Sequence, residues 1–171
     1  MLLSELERLY DDHASALFAF LLNLTRNEAD TRDVLQEVFS RLVSRPEVMK
    51  CVRDERGFLL RMAHRMALDG FRRREARDRN HAVLAATGMD LFAPTPDPDE
   101  LAFRRELALA LGQLPVDQRA VVHLKLWEGL TFEAIASALE IPANTAASRY
   151  RYGIDKLQAL LRPVYDEIRT P

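Results

Sequence analysis

Apolar side chains recur at intervals of three, four and seven residues along most of this 171-residue chain. This spacing places them on one face of an α-helix, and few segments alternate with the period of two that indicates a β-strand. Three long helices are predicted in the first half, over residues 2–25, after a cap at Asn27, and from residue 54 or 55. Their predicted buried side chains are Leu3, Leu6, Tyr10, His13, Leu17, Leu21 and Leu24, then Val34, Leu35, Val38, Phe39, Leu42 and Val43, then Phe58, Leu59, Met62, Ala63, Met66 and Ala67.

The last third of the chain has two shorter helical patterns with a tight interruption between them. Thr131 is positioned to cap the first of these helices. Because proline is tolerated only near the start of a helix, the second helix is predicted to begin near Pro142 and to end at Pro163. Small and polar residues occupy its first two turns and leucines its last two, which is typical of a DNA-reading helix anchored on its own domain. The segment predicts a helix-turn-helix, with an ordinary helical hairpin as the alternative.

A proline-rich segment separates the two groups of helices. Residues 93–99 read Ala-Pro-Thr-Pro-Asp-Pro-Asp, a composition typical of a semi-rigid, extended linker. The predicted fold class is therefore all-α, with two small helical domains joined by this linker. The first domain is predicted over residues 1–86, the linker over 87–100, and the second domain, with the helix-turn-helix, over 101–171.

Composition excludes several classes of function. The single cysteine, Cys51, cannot form an internal disulfide, and no set of metal-ligating residues accompanies it, so we expect neither a metal nor a cofactor. The amino terminus lacks a basic lead before an apolar run and no stretch is long enough to cross a bilayer, so we expect a cytoplasmic protein without membrane insertion. His64 and Asp69 do not stack on one helical face, and no nucleophile or phosphate-binding glycine loop accompanies them, so we expect no enzymatic activity.

The charge of the chain is unevenly distributed. The formal net charge is −2, yet residues 72–79 contain five arginines against two acidic residues. Such a run also occurs on ordinary solvated helix surfaces. Its position directly after an apolar helix favours contact with nucleic acid.

The second predicted helix has a compact polar face, formed by Asp33, Gln36, Glu37 and Ser40. A solvated surface is one interpretation of this face. An acidic and amide patch beside a strong apolar stripe is also what a basic partner helix binds.

Three segments follow one another along the chain. Residues 33–39 read Asp-Val-Leu-Gln-Glu-Val-Phe, and residues 58–69, Phe-Leu-Leu-Arg-Met-Ala-His-Arg-Met-Ala-Leu-Asp, precede Phe-Arg-Arg-Arg at 71–74. Leu114-Pro115 with Arg119, then Trp127-Glu128-Gly129-Leu130-Thr131, precede the helix-turn-helix. With these segments in this order and spacing, the chain resembles an extracytoplasmic-function sigma factor of bacterial RNA polymerase over nearly its whole length, apart from the linker.

The resemblance implies a protein that binds core RNA polymerase, recognises the minus-ten and minus-thirty-five promoter elements, and initiates transcription. The first segment resembles the helix that docks on the clamp of the largest subunit, and a contact with the flap region is also implied. The second resembles the promoter-melting helix, and the third the upstream-element domain. An anti-sigma factor is a common partner in this family.

The resemblance also assigns individual residues. The implied polymerase-binding residues are Asp33, Gln36 and Glu37. Those implied to bind minus-ten DNA are Arg61, His64, Arg65, Asp69, Arg72 and Arg73, with the loop over residues 45–56 holding a flipped base. Those implied to bind minus-thirty-five DNA are Thr131, Asn144, Thr145, Ser148, Arg149, Arg151 and Lys156. At the position of Arg65 the family usually has asparagine.

Two other classes of protein remain as alternatives. A stand-alone helix-turn-helix regulator has a similar reading domain, but it leaves the patch of Asp33, Gln36 and Glu37 without a role. A helical nuclease would require paired carboxylates at metal-ligand spacing, and the sequence has no convincing set of this kind.

Overall fold

Seven α-helices and one 3₁₀ helix make up the described part of the chain, which is residues 3–77 and 97–169 of a computed structural model. These residues contain no β-strand, and the predicted all-α class is confirmed. No helix among them is long and apolar enough to span a bilayer. The helices are α1 (Leu3–Thr25), α2 (Glu28–Ser44), the 3₁₀ helix (Pro46–Met49), α3 (Glu55–Arg77), α4 (Pro98–Gly112), α5 (Val116–Leu126), α6 (Phe132–Leu139) and α7 (Ala143–Arg169).

Side-chain caps fix the starts of two helices, as predicted. The Asn27 side chain accepts a hydrogen bond from the backbone N–H of Asp30 at 3.0 Å, which satisfies a free donor at the start of α2. Thr131 does the same for α6, since its Oγ1 accepts from the N–H of Ala134 at 3.2 Å. Glu140 ends α6 in the left-handed region, with φ 56°, and its N–H donates to the carbonyl of Ala136. This residue makes the tight turn of the helix-turn-helix.

Two predicted boundaries near prolines are wrong. The predicted end of the last helix at Pro163 is contradicted, because α7 continues to Arg169. Pro163 removes one N–H donor, but Ala159, whose carbonyl loses that partner, is exposed and can bind water instead. The linker predicted to extend to residue 100 ends earlier, since α4 begins at Pro98, where the fixed φ of proline suits the first turn. The rest of the linker, residues 87–96, lies outside the described residues.

The first three helices pack around the predicted apolar faces, with two exposed exceptions. Tyr10 is 51% exposed and its neighbour Leu9 is buried in its place, while Val43, near the end of α2, is 58% exposed. The ring of Tyr10 lies on Phe39, with 4.9 Å between the ring centroids, so one side of it faces solvent. His13 is half-buried, with Nε2 3.9 Å from a carboxylate oxygen of Glu55. The side chain of Leu3 lies outside the described residues.

The two halves of the chain share one hydrophobic core. Helix α1 packs against α5, and α3 packs against α6. Leu124 of α5 and Ile135 of α6 therefore lie in the same buried cluster as Leu59 of α3. A smaller cluster belongs to the second half alone and is formed by Ala110, Leu111, Leu114, Val122 and Leu157. The large cluster determines which polar surfaces remain accessible.

Candidate functional site

The outward face of α2 is accessible in the structure. Asp33, Gln36 and Glu37 are all exposed, and Glu37 Oε1 lies 3.5 Å from Nη2 of Arg41 on the same helix. Gln36 also borders a groove of about 550 Å³ between α1 and α2. The groove is lined by Tyr10, Phe18, Arg32, Leu35, Gln36, Phe39, Ser40 and Val43. An apolar floor with a polar rim is the usual anatomy of a protein-binding surface.

Sequence reasoning placed Tyr10 and Val43 in the core and so missed their part in this groove. Helical periodicity identifies the apolar face of a helix, but it does not say how far a neighbouring helix covers that face. The available signal was their position at the edge of each apolar stripe. Tyr10 of α1 and Val43 of α2 therefore add exposed apolar area next to the polar face of α2.

The residues predicted to bind minus-ten DNA fall into two groups on α3. Asp69, Arg72 and Arg73 are exposed near its carboxyl end. Asp69 Oδ1 lies 3.5 Å from Arg72 Nη1, and Arg73 Nε donates to the Asp69 carbonyl at 3.2 Å. The side chains of Arg74 and Arg77, and all of Arg79, lie outside the described residues. Asp69, Arg72 and Arg73 therefore form a solvated, largely basic surface.

The second group, Arg61, His64 and Arg65, contacts α6 and its cap. Arg61 Nη2 donates to Ser137 Oγ at 3.2 Å. Arg65 Nε donates to Glu140 Oε2 at 2.6 Å, and its Nη2 donates to Oε1 of the same carboxylate. These guanidinium groups are engaged within the chain.

His64, which the resemblance implies to bind minus-ten DNA, is not accessible in this structure. Its side chain is buried, with 7% exposure, because α6 packs against α3. Burial holds the pKa of His64 below its usual value, and the charge of Arg149 lowers this pKa further. The carboxylates of Asp117 and Glu140 act in the opposite direction.

The helix-turn-helix leaves the first turns of α7 partly open. Asn144 is exposed, and Thr145 is half-buried. Ser148 is also half-buried, and its Oγ donates to the Thr145 carbonyl at 3.0 Å. Thr131 is exposed at the start of α6, where its hydroxyl already accepts the capping hydrogen bond. Asn144 is therefore the most accessible of the predicted base-reading side chains.

Three basic residues of α7 have different surroundings. Arg149 forms an ion pair with Asp117 at 2.8 Å, and its side chain is 30% exposed. Lys156 Nζ donates to the carbonyl of Gln113 at 2.9 Å. Arg151 is exposed and its guanidinium lies 5.2 Å from the ring centroid of Tyr152. Of the three, only Arg151 has no acceptor within the described residues.

A buried arginine joins the second half to the first. Arg119 is 8% exposed, and its Nη2 donates to the backbone carbonyl of Leu24 in α1 at 3.1 Å. Burial, together with the charge of Arg26, lowers the pKa of Arg119 to about 10. Its Nη1 donates to the carbonyls of Leu111, Gly112 and Leu114.

A second polar network crosses the same boundary, and sequence reasoning did not find it. Arg56 of α3 contacts the carboxylate of Glu128, which follows α5. Glu128 lies 3.7 Å from His123 Nε2, and hydrogen bonding to His123 and Arg56 holds the pKa of Glu128 below its usual value. His123 Nδ1 is 3.2 Å from Asn23 Nδ2 in α1. Trp127 is 41% exposed and stacks on His123.

The loop between α2 and α3 contains the 3₁₀ helix and has charges of both signs on its surface. Its exposed residues are Arg45, Glu47, Lys50, Cys51, Arg53 and Asp54. Among residues 3–77 and 97–169, no group of three or more His, Cys, Asp or Glu side chains is arranged to hold a metal ion.

Two sigma-factor regions match this chain. The family described as Sigma-70 region 2 matches residues 9–77, and Sigma-70, region 4 matches residues 104–157. The first match contains α2 and α3, and the second contains the helix-turn-helix. The surfaces predicted to bind polymerase and the minus-ten element therefore fall in one match, and the surface predicted to bind the minus-thirty-five element falls in the other.

Whole proteins of the same kind are also similar. The ECF RNA polymerase sigma factor SigL of Mycobacterium tuberculosis is 35% identical over 158 residues, which is 90% of this chain and 87% of SigL. SigX of Bacillus subtilis, also an ECF RNA polymerase sigma factor, is 28% identical over 94% of this chain and 85% of SigX. The fold is similar to that of the sigma factor RpoE from Bartonella quintana, solved in complex with the anti-sigma factor NepR, with a TM-score of 0.76 and 20% identity over 93% of this chain and 95% of RpoE. The chain therefore belongs to the extracytoplasmic-function family of RNA polymerase sigma factors.

Proposed function

We propose that α2 anchors this sigma factor on core RNA polymerase and that α3 and α7 recognise the two promoter elements. As a sigma factor, the chain binds the core enzyme, recognises promoter DNA and initiates transcription. The observation that supports the division of labour is the position of three surfaces along the chain. The exposed α2 face and the α3 arginines lie within the region 2 match, and the helix-turn-helix lies within the region 4 match.

The anchoring surface combines Asp33, Gln36 and Glu37 with the apolar groove beside them. The carboxylates attract a basic partner, and the exposed rings and aliphatic groups of the groove supply area that gains free energy on burial. The clamp of the largest polymerase subunit is the proposed partner of this face. The second domain is proposed to contact the flap.

The minus-ten surface is proposed to be α3. Arg72 and Arg73 are exposed and can contact the backbone of a separated strand, and their contacts with Asp69 orient both side chains. Arg61, His64 and Arg65 complete the surface when α6 does not cover them. The loop over residues 45–56 leads into α3 and is proposed to hold the flipped base, which costs a few kcal/mol to unstack.

The minus-thirty-five surface is proposed to be the first turns of α7. Asn144, Thr145 and Ser148 are short polar side chains that reach base edges in a major groove. Arg149 is proposed to read a base after exchanging Asp117 for DNA. Arg151 and Lys156 are proposed to hold phosphates, and Thr131 to contact the backbone at the start of α6.

Several wider assignments follow from membership of the family. We propose a first domain over residues 1–86 and a second over 101–171, and an anti-sigma factor as a further partner. A transcription initiation factor has no reaction of its own to catalyse, so the chain is proposed not to be an enzyme. It is proposed to act in the cytoplasm, where RNA polymerase works.

The anchoring assignment is tested by the double substitution Gln36→Ala with Glu37→Ala. Both side chains are exposed, so the fold is expected to persist. The dissociation constant for core RNA polymerase should rise by about fivefold or more, the effect of losing roughly 1 kcal/mol at an interface. Binding is measured with labelled sigma factor and purified core enzyme, and run-off transcription is measured in parallel.

The matched control is Asp12→Ala, which removes an exposed carboxylate from α1. Asp12 forms an ion pair with Arg8, and Arg8 also pairs with Glu55 of α3. This variant should bind core RNA polymerase like the unchanged protein. Equal affinities for the unchanged chain and the double variant would contradict the α2 assignment. Absence of any core binding by the unchanged chain would contradict the sigma-factor role itself.

A further inference from the structure

Two arginine side chains meet where the end of α1 packs beside the junction of α4 and α5. Arg26 directly follows α1, and Arg119 lies near the start of α5. Both guanidinium groups lie against Gly112, the last residue of α4. Arg119 Nη1 donates to the Gly112 carbonyl at 3.2 Å, and a Cβ built on Gly112 would lie 3.2 Å from Arg26 Nη2. The fold therefore holds two positive charges close together.

The charges of Arg26 and Arg119 are not balanced by any carboxylate of the described residues. Burial lowers the pKa of Arg26, and burial together with the charge of Arg26 lowers the pKa of Arg119. No acidic side chain in the described part of the chain opposes either effect. Because like charges repel and partly buried charges are costly unless they are paired, this pair favours the approach of a negative charge.

The same two side chains carry three buried nitrogen donors without an acceptor among the described residues. These donors are Nε of Arg119 and both Nε and Nη1 of Arg26. Arg119 is 8% exposed, and its Nη1 and Nη2 bond to four backbone carbonyls, so its Nε is the donor left over. A buried donor without an acceptor is costly, above all on a charged group, and folded proteins rarely leave such groups unpaired. The cluster thus has donors available for an anion.

The backbone of Arg26 is strained in the conformation that places its guanidinium on Gly112. Its φ is 56°, in the left-handed region, and its N–H closes α1 by donating to the Leu22 carbonyl at 3.0 Å. Glycine is the usual residue at such a helix end, because a Cβ makes this conformation costly. Strained positions of this kind concentrate at ligand clamps. An arginine here supplies two of the three unpaired donors, which a glycine could not do.

We propose that Arg26 and Arg119 form a binding site for a phosphate-class oxyanion at the junction of α1, α4 and α5. A phosphate group carries up to two negative charges near neutral pH, which balance two guanidinium groups, and its oxygens accept several charge-assisted hydrogen bonds at once. A carboxylate has one charge and two oxygens, so it matches the cluster less well. Arg26 is only half-buried, which gives an ion a route from solvent. None of the residues assigned to polymerase or DNA belongs to this site.

An ion at this site contacts side chains from both halves of the chain, because Arg26 follows α1 and Arg119 belongs to α5. The arrangement of the two guanidinium groups exists only in the folded chain. A ligand that binds only the folded state raises its stability as the ligand concentration rises. The stability of this sigma factor is then set in part by the concentration of phosphate groups around it, whether as the free ion or as part of a nucleotide.

Isothermal titration calorimetry of the full-length chain tests the site at constant ionic strength, so that non-specific charge effects stay fixed. Inorganic phosphate, AMP and acetate are titrated separately, and saturable binding of one phosphate group per chain is expected at millimolar concentration or below. Tighter binding of inorganic phosphate would assign the site to the free ion, and tighter binding of AMP to the phosphate of a nucleotide. Acetate binding as tight as that of either phosphate probe, or no saturable binding of either, would overturn the proposal.

The variant Arg26→Gln replaces the guanidinium with a neutral amide. Its dissociation constant for the phosphate probe should rise about tenfold or more, as expected for the loss of charge-assisted hydrogen bonds. Arg41→Gln is the matched control, because Arg41 is exposed on α2 and already pairs with Glu37. This control should bind phosphate like the unchanged chain. Equal affinities for Arg26→Gln and Arg41→Gln would show that phosphate binds elsewhere and would overturn the assignment.

Nuclear magnetic resonance of the arginine Nε–H groups provides a second test, in the unchanged chain. Addition of phosphate should shift the Nε–H resonances of Arg26 and Arg119, because neither nitrogen has an acceptor among the described residues. The resonance of Arg41 should stay where it is. If the Arg26 and Arg119 resonances did not move at a phosphate concentration that saturates the calorimetric signal, the ion would not be bound between these side chains.

Discussion

Arg119 shows how one buried side chain connects distant parts of the molecule. Its guanidinium satisfies three carbonyls around the start of α5 and one from α1, which lies 95 residues earlier in the sequence. In the sequence this arginine is part of a recognisable motif, yet nothing in its spacing reveals the acceptor on α1. Long-range partners of this kind depend on tertiary packing and are not encoded in local periodicity.

His64 makes the stability of the folded chain depend on pH. Its pKa is lowered in the folded chain by burial, while an unfolded histidine titrates near about 6.5. Between the lowered folded pKa and about 6.5 the unfolded chain binds more protons. The stability from neutral His64 is therefore fully present above about pH 6.5 and is lost as the pH falls through this window. Asp117 and Glu140 oppose this effect, and Arg149 adds to it.

The expected result is a smaller pH dependence in the variant His64→Gln. The free energy of unfolding is measured with urea at mildly acidic and mildly alkaline pH for both proteins. The unchanged chain should lose more stability on acidification than the variant. Because all other titrating groups are common to both proteins, identical losses would contradict a buried, neutral His64.

At the scale of helices, the sequence is most informative where local chemistry acts alone. The start of α2 after Asn27, the start of α6 after Thr131 and the start of α3 at Glu55 all agree with prediction, because caps and apolar periodicity are local signals. The end of α7 does not agree, since Pro163 stands at an exposed position where the helix can continue. The exposure of Tyr10 was also missed, because it depends on how α1 and α2 pack.

Substitution by alanine is expected to change the stability of the chain in opposite directions at two helical glycines. A Cβ at Gly153 of α7 would lie 2.7 Å from Cγ2 of Val122, a fully buried and stiff side chain of α5. Overpacking of this kind costs about 1–3 kcal/mol, which exceeds the roughly 1 kcal/mol gained in helix propensity. A Cβ at Gly70 of α3 would meet nothing within 4 Å, so only the gain remains.

Gly153→Ala should therefore lower the free energy of unfolding by about 1 kcal/mol, and Gly70→Ala should raise it by roughly 0.5–1 kcal/mol. Urea titrations followed by far-ultraviolet circular dichroism measure both. Stabilisation by Gly153→Ala would show that α5 and α7 approach less closely at this point than the structure has them.

At the scale of the whole molecule, the proline-rich linker predicted two domains, and the structure adds a shared core between them. Arg65 and Glu140 are 75 residues apart in the sequence. Arg61, His64 and Arg65 have the polar character of an exposed helix face, so no pattern could indicate that α6 covers them. The sequence thus predicts the helices and the chemistry of their surfaces, whereas the packing of α6 on α3 follows only from the tertiary structure.

The shared hydrophobic core couples the unfolding of the two halves of the chain. Leu124 of α5 is fully buried in the same cluster as Leu59 of α3, so unfolding of either half exposes apolar surface of the other. The two halves should therefore unfold in a single transition. The single tryptophan, Trp127, reports on the second half, and a dye on the single cysteine, Cys51, reports on the first.

The two probes should give coincident urea midpoints, and Leu124→Ala should lower both together by about 2–5 kcal/mol of unfolding free energy. Two separated midpoints in the unchanged chain, or a shift of the Trp127 transition alone in Leu124→Ala, would mean that each half is stable without the other. Coincident midpoints would show that each half depends on the shared core for its stability, because loss of either half exposes the apolar surface of the other.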